Sequence, residues 1–596
     1  MKSPSTIIWL ALAVTLAALI WLQGRFFSRP DEAGGRLLPG LHAAELTEIH
    51  ITPAGAKEFT AVFTNNAWCL KKPLVYPAQA AAITALLGAL EKLTVATRIT
   101  AAELNAKKDS EAGFGFNAPQ AAVDLAAGET KWHFLVGSNT APGDQVFIRI
   151  VGADGALVTD AAWLPLLPKT VENWRDTSLV SAADACDWIV ITNGARVIEL
   201  RRNPTNQLWR MLQPIATRAD SARITTALQQ LATAQTTRII TDDPKSDLTA
   251  FGLEPANTDV WLGRGTNLLS AIHAGKTSTE DTNQIYVRRD NFNTVALAAR
   301  DALVVWSGEV NDFRDRHLLE LNGPVAEIEV RGSLTNFSLV YQGTNGWRVA
   351  GETFPAETES VLNLARLVLN WRATEFVRDF FTRTDLEKYG LANPARQITF
   401  YGKADGTNLV VAQLLFGNED AGRVFVKRAD EDYIYALALP DFNRLPENGF
   451  EFRRHRLWSF SETNVAAVTM RQAGQTRTLL RAGTNSWSVA PGSQGLINPL
   501  AVEETVRRLG ELEADGWVAR HLTAPESFGF SANGPQLTIE LKTSEKLVLD
   551  FGGTVPQQEK VFAAATLDGE RWAFVFPTAL TQLVAAYLAI PQETSK

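Results

Sequence analysis

Only two cysteines occur in 596 residues, Cys69 and Cys186, so the chain has neither a disulfide framework nor a cysteine-based metal site at recognisable spacing. A single bridge between the two in an oxidising compartment stays open. Histidine is nearly as scarce. The seven (42, 50, 133, 273, 317, 455 and 521) include no H-E-x-x-H or other zinc spacing. There is no G-x-S-x-G nucleophile elbow and no G-x-x-x-x-G-K-[ST] phosphate loop. Gly113 and Gly115 of GFGF lack the third glycine of a dinucleotide loop. A basic surplus is missing as well: the formal net charge of −8 argues against nucleic acid, whose phosphates need a basic surface. The chain is therefore expected to be non-enzymatic, with no catalytic, cofactor-binding or metal-binding residue assigned.

What is present is an ordinary globular composition, 46% hydrophobic and 20% charged, in a chain too long for one core. At its start, Thr6 to Gly24 carries no charge and is close to the ~20 apolar residues that span a bilayer. Trp9 and Trp21 stand near its two ends, where headgroups favour amphipathic rings. A cleaved signal peptide would need small residues at the end of the run, and Ile20-Trp21-Leu22-Gln23 is bulky. An uncleaved signal anchor is the favoured reading.

The strongest pattern is a fourfold repeat, which has to be found before any motif is interpreted. Trp68, Trp209, Trp347 and Trp487 recur at near-equal spacings of 141, 138 and 140. A Gly-turn recurs at Gly115, Gly252, Gly390 and Gly529, and a strand-closing glycine at Gly137, Gly275, Gly417 and Gly552. Apolar strands follow at VFIRI, IYVRR, VFVKR and VFAAA. Each unit opens with short alternating strands, then an amphipathic helix; Ile83, Leu86, Leu87 and Leu90 share one face in the first. The Gly-turn, further strands and a short second helix complete it. The expected fold class is α+β: an N-terminal transmembrane helix followed by four tandem α+β modules with mainly antiparallel sheets. The boundaries are 1–5 cytoplasmic tip, 6–24 anchor, 25–43 linker, and modules at 44–180, 181–321, 322–460 and 461–592. The four tryptophans read as core anchors of the modules.

The most charged recurring element is Trp174-Arg175-Asp176, then Phe313-Arg314-Asp315, then Phe452-Arg453, its arginines each 139 apart. An anion clamp is one reading, since guanidinium forks match phosphates bidentately. The element follows the first three modules only, which favours an inter-module junction. A second arginine recurs after each helix, at Arg98, Arg238, Arg378 and Arg520, and suggests an intramodule contact.

YGLANP (Tyr389 to Pro394), the strand ending LLFG (Leu414 to Gly417), VFVKR and FRDRHLLEL (Phe313 to Leu321) together resemble the domain of unknown function 4340 family. The resemblance spans nearly all the chain after about residue 40 and is clearest in the second and third modules. It implies a bacterial inner-membrane protein, single-pass, held in the cytoplasmic-membrane bilayer through residues 6–24, with its bulk periplasmic or extracytoplasmic. It also implies an association with ABC-2-type exporter components like those of gliding-motility systems, and it carries over no catalytic residue. The leading expectation is an accessory or scaffold subunit whose partners include an ABC-type permease. The alternatives are an envelope glycan- or peptide-binding repeat protein and an uncharacterised hydrolase.

Overall fold

The computed structural model describes residues 35–590 apart from 107–109, 322, 333–334 and 405–406. The chain divides into two compact units, the first ending at Arg314 and the second starting at Asp315. Each unit contains two modules, and each module is built around one antiparallel sheet.

Module two shows the plan. Strands Trp188–Asn193, Arg196–Arg202, Trp209–Gln213 and Thr217–Arg218 run outward as a meander. Helix Ser221–Thr233 then carries the chain back to the far edge, where Thr236–Thr241 lies. A second meander begins at Thr258–Arg264, beside the first strand, and ends with Val295–Ala299 against Thr236–Thr241. Module one repeats this nine-strand order; among the described residues modules three and four have eight strands, without the two-residue edge strand.

The helix forms because one stripe is apolar: Ile224, Ala227, Leu228 and Leu231 are buried in the same core as Ile189, Ile191 and Val260 of the sheet. Asp220 caps it by accepting from the Arg223 backbone N–H at 3.0 Å. In module four Asn498 does the same for Ala501 at 3.2 Å. In module one Ile83, Leu86, Leu87 and Leu90 take the equivalent places. Leu37, Leu38 and Leu41 already belong to that core.

Two recurring glycines prove to be one contact. Gly115, Gly252, Gly390 and Gly529 all have φ between +67° and +76°, a region that suits glycine. A side chain on Gly115 would meet the Ser138 backbone N at 2.6 Å, and one on Gly529 the Gly553 N at 2.6 Å. The strand glycines Gly137, Gly275 and Gly417 face the same turns from the other side, against the carbonyls of Phe114, Phe251 and Tyr389. Those carbonyls accept from Ser138, Lys276 and Asn418, each at 2.8 Å. The turn is thereby pinned to the sheet.

Two expectations are corrected. The α+β class gives way to four modules dominated by antiparallel sheet, each with one helix of 12–13 residues. The short second helix expected after the last strands is present in each module, at Leu164–Leu166, Asp301–Val304, Leu439–Phe442 and Thr578–Leu583. The transmembrane helix, and the single-pass inner-membrane placement built on it, are also corrected. Among the described residues no helix is long and apolar enough to cross a membrane. Thirteen residues rise only ~20 Å, against the ~30 Å of a bilayer core. Segment 6–24 lies outside the described residues.

Candidate functional site

The recurring Trp/Phe-Arg element leaves each of the first three modules along the segment that precedes its helix. Arg175 bridges Ala78, Arg314 bridges Ala219 and Arg453 bridges Ala356, each as an isolated antiparallel pair. Gln79, Asp220 and Glu357 donate their backbone N–H to the carbonyls of Trp174, Phe313 and Phe452 at 2.7–2.9 Å. The aromatic residue goes into the core of the module it leaves; Trp174, Phe313 and Phe452 are all at most 2% exposed.

Between modules one and two, Arg175 is 1% exposed. It donates to Asp242 Oδ2 at 2.8 Å and lies 5.2 Å from the Tyr76 ring centre. The other Asp242 oxygen accepts from Thr294 at 2.7 Å. Asp176 accepts from Arg289 at 2.8 Å, and Arg289 also reaches the Ser178 carbonyl at 3.2 Å. Tyr76, from module one, packs against Phe292 of module two at 4.9 Å. Burial pushes the Tyr76 phenol above its ordinary value, against the pull of the two arginines. The Asp242 carboxylate offsets the cost of taking the Arg175 guanidinium out of water.

Between modules three and four the same arginine finds a different setting. Arg453 donates to Asp568 at 2.6 Å and sits 4.5 Å from Trp572, 5.3 Å from Phe354 and 5.6 Å from Trp517. The Trp517 indole donates to the Arg453 carbonyl at 3.0 Å. Arg520 lies alongside, forked onto Glu570 at 2.7 and 3.0 Å and onto Glu352 of module three at 2.8 Å. Hydrogen bonding to Arg520 holds the Glu570 carboxyl below its ordinary value. Of its counterparts, Arg238 pairs with Glu280 at 2.7 Å and Arg378 with Asp385 at 3.7 Å.

Arg314, 1% exposed, donates to Asn311 at 3.1 Å at the end of the first unit. Asp315 heads the second unit and accepts from the His317 backbone at 2.9 Å and its ring at 2.7 Å.

Each recurring tryptophan lies directly opposite a ring or guanidinium on the neighbouring strand. The pairs are Trp68 with Phe63, Trp209 with Arg202, Trp347 with Tyr341 and Trp487 with Arg481. Their separations are 5.4, 5.4, 5.4 and 4.5 Å. Trp68, Trp209 and Trp487 are buried; Trp347 is partly so. Trp487 also donates to Glu503 at 2.6 Å. Cys69 and Cys186 are both free thiols, and burial pushes Cys186 up to about 11.

One constellation escaped the sequence. His133 pairs with Asp124 across the module-one sheet, and His273 with Asp259 in module two at 2.6 Å. Asp124 is flanked on its other side by His50, which bonds Thr60 at 2.9 Å. Asp259 is flanked by Thr192, bonded at 2.7 Å. Module three has Gln413 on Thr399 at 3.0 Å in this row, and module four Thr469 on Thr478 at 3.1 Å. Burial opposes ionisation of Asp259, but bonds from His273 and Thr192 outweigh it and hold its carboxyl below the ordinary value. The signal was there: His133 and His273 keep the spacing of the repeat. Among the described residues no cluster of three or more metal-ligating side chains occurs.

The geometry defines a tandem-repeat protein of sheet-built modules whose arginine-bearing segments join module one to two and module three to four. The chain belongs to the family described as Domain of unknown function (DUF4340), whose model matches residues 68–206, 209–379 and 347–532. Each match opens on a recurring tryptophan, so the family unit starts inside the first meander rather than at a junction. No curated protein matches the chain, and no solved structure does.

Proposed function

We propose that this chain is a non-enzymatic scaffold, an accessory subunit that serves an ABC-2-type exporter. The observation that carries the reading is the use made of the recurring charged residues. Arg175 and Arg453 bind neighbouring modules to each other, so the repeat invests its charge in holding modules in fixed pairs. Paired modules suit a spacer or docking arm, and an exporter as partner is what the resemblance read from the sequence implies. The glycan-platform alternative has less support, since three of the four recurring tryptophans are buried.

The test is affinity capture of the tagged full-length chain from detergent-solubilised membranes of its own host. Recovery of a permease and an ATPase in constant ratio to the chain is expected. Recovery of the chain alone, under conditions that keep a control exporter assembled, would sink the proposal.

A further inference from the structure

Modules two, three and four each insert a guanidinium at one end of the sheet, onto carbonyls of the segment that leaves the module. Arg196 donates to the Gly308 carbonyl at 3.2 Å and to Glu309 at 2.7 Å. Arg396 donates to the carbonyls of Leu445, at 3.2 Å, and Pro446. Arg477 donates to the Ala589 carbonyl at 2.6 Å and, with its other Nη, to the Leu496 carbonyl before the helix at 2.9 Å.

In module one the corresponding place is not filled by an arginine. Arg396 opens its strand opposite Gly332, and the residue in that register in module one is Ala121, opposite Pro53. Leu445-Pro446 has an earlier copy in Leu167-Pro168, offset by twice the spacing of the junction arginines. Lys169 likewise precedes Gly308 by one such spacing. Where the other modules are strapped, module one has an open cleft of about 860 Å³, lined by Ala121, Leu167, Pro168 and Lys169 themselves. Ala54, Ala56 and Ala162 keep its walls small, and Asp144 and Asp160 bring two carboxylates against the single charge of Lys169.

We infer that the module-one cleft is a binding site for an arginine side chain presented by a partner polypeptide. The guanidinium takes the place that Arg196, Arg396 and Arg477 fill from within, donating to the carbonyls at 167–169. Asp144 and Asp160 supply the counter-charge that Glu309 gives to Arg196. A guanidinium fits where an ammonium does not, because its planar fork serves two adjacent carbonyls at once. The volume is within the range of ligand clefts and leaves room for the backbone that carries the side chain.

The experiment titrates full-length protein with acetyl-Gly-Arg-Gly-amide, its citrulline counterpart and free L-arginine, followed calorimetrically. The arginine peptide is expected to bind at least about tenfold more tightly than the citrulline peptide, which keeps the shape and loses the charge. Ala121→Arg, which supplies the strap from within, is expected to abolish binding with the thermal transition retained. Asp144→Asn, at an exposed position, keeps the test decisive should the first variant misfold; it is expected to weaken binding severalfold. Lys169→Glu, which installs an acid where module three has Glu447, is expected to strengthen it. Equal binding of arginine and citrulline peptides, or unchanged binding in Asp144→Asn, overturns the site. Free arginine binding as tightly as the peptide overturns the assignment to a polypeptide partner.

Discussion

The guanidinium carbon of Arg453, on the segment that leaves module three, lies 4.5 Å from the centre of the Trp572 ring in the last strand of module four. Phe354 and Trp517 close the same cage. Arg453→Ala is expected to destabilise the second unit by ~2–3 kcal/mol, summing a desolvated cation–π contact and a charge-assisted bond to Asp568. The Asp568 side is exposed and is therefore discounted. Arg453→Lys should recover less than half, because an ammonium cannot stack or fork. Urea denaturation of the full chain measures both; a loss below ~0.5 kcal/mol for the alanine variant would show the cage to be ornamental.

Gly115→Ala and Gly128→Ala make a matched pair. Both glycines have positive φ, but a side chain on Gly128 meets nothing within 4 Å, whereas one on Gly115 drives into the backbone N of Ser138. Strain alone should cost Gly128→Ala ~1 kcal/mol. Gly115→Ala should cost more, ~2–4 kcal/mol, because backbone must move as well. Equal losses in thermal melts would mean that the turn is not pinned to the sheet.

Glu503 is 9% exposed and holds both Arg481, at 3.0 Å, and the Trp487 indole. Glu503→Ala leaves a buried guanidinium with its carboxylate gone, a change that typically costs ~3–5 kcal/mol. The double variant Glu503→Ala, Arg481→Met is expected to regain part of that loss. A double variant no better than the single would refute the pairing as the cause.

Acid should find Asp259. Its folded carboxyl titrates below the ordinary 3.8, so the stabilisation is complete above that value and is lost as pH falls through the folded one. Asp259→Asn is therefore expected to be less stable than the natural chain at neutral pH. The gap should narrow as pH drops below about 4. Tm profiles that run parallel across the acid range would contradict the linkage.

The repeat itself was legible because tryptophan is sparse enough for a near-constant spacing to stand out, and glycines and arginines recur at nearly the same period. The helices were legible for the same kind of reason, as with Ile83, Leu86, Leu87 and Leu90. What the sequence hid were relations between positions. Gly115 and Gly137 are two separate markers until the fold lays one on the other. The junction arginines keep their spacing while their acids do not. Arg175 meets Asp242 after the helix, and Arg453 meets Asp568 in a hairpin turn, so no single offset predicts the partner. The α+β class gave the helix too much weight, because one helix of 12–13 residues per module stands beside eight or nine strands. The His133 and His273 period was overlooked because the row decays to Gln413 and then to threonines.

The junction bridges also dictate where the repeat can tolerate a change of length. Arg175 is zipped to Ala78 of one module and Ser178 to Gln235 of the next, only three residues on. Arg453 and Arg456 do the same with Ala356 and Glu513. Three extended residues reach ~10 Å, so an inserted or deleted residue there would unzip one side or the other. Hairpin turns elsewhere can absorb such a change, and the tryptophan spacings drift among 141, 138 and 140 while the junction arginines hold at 139. Within each unit the junction thus acts as the fixed joint of the module pair, and a change of length is expected to be tolerated in the hairpin turns and not there.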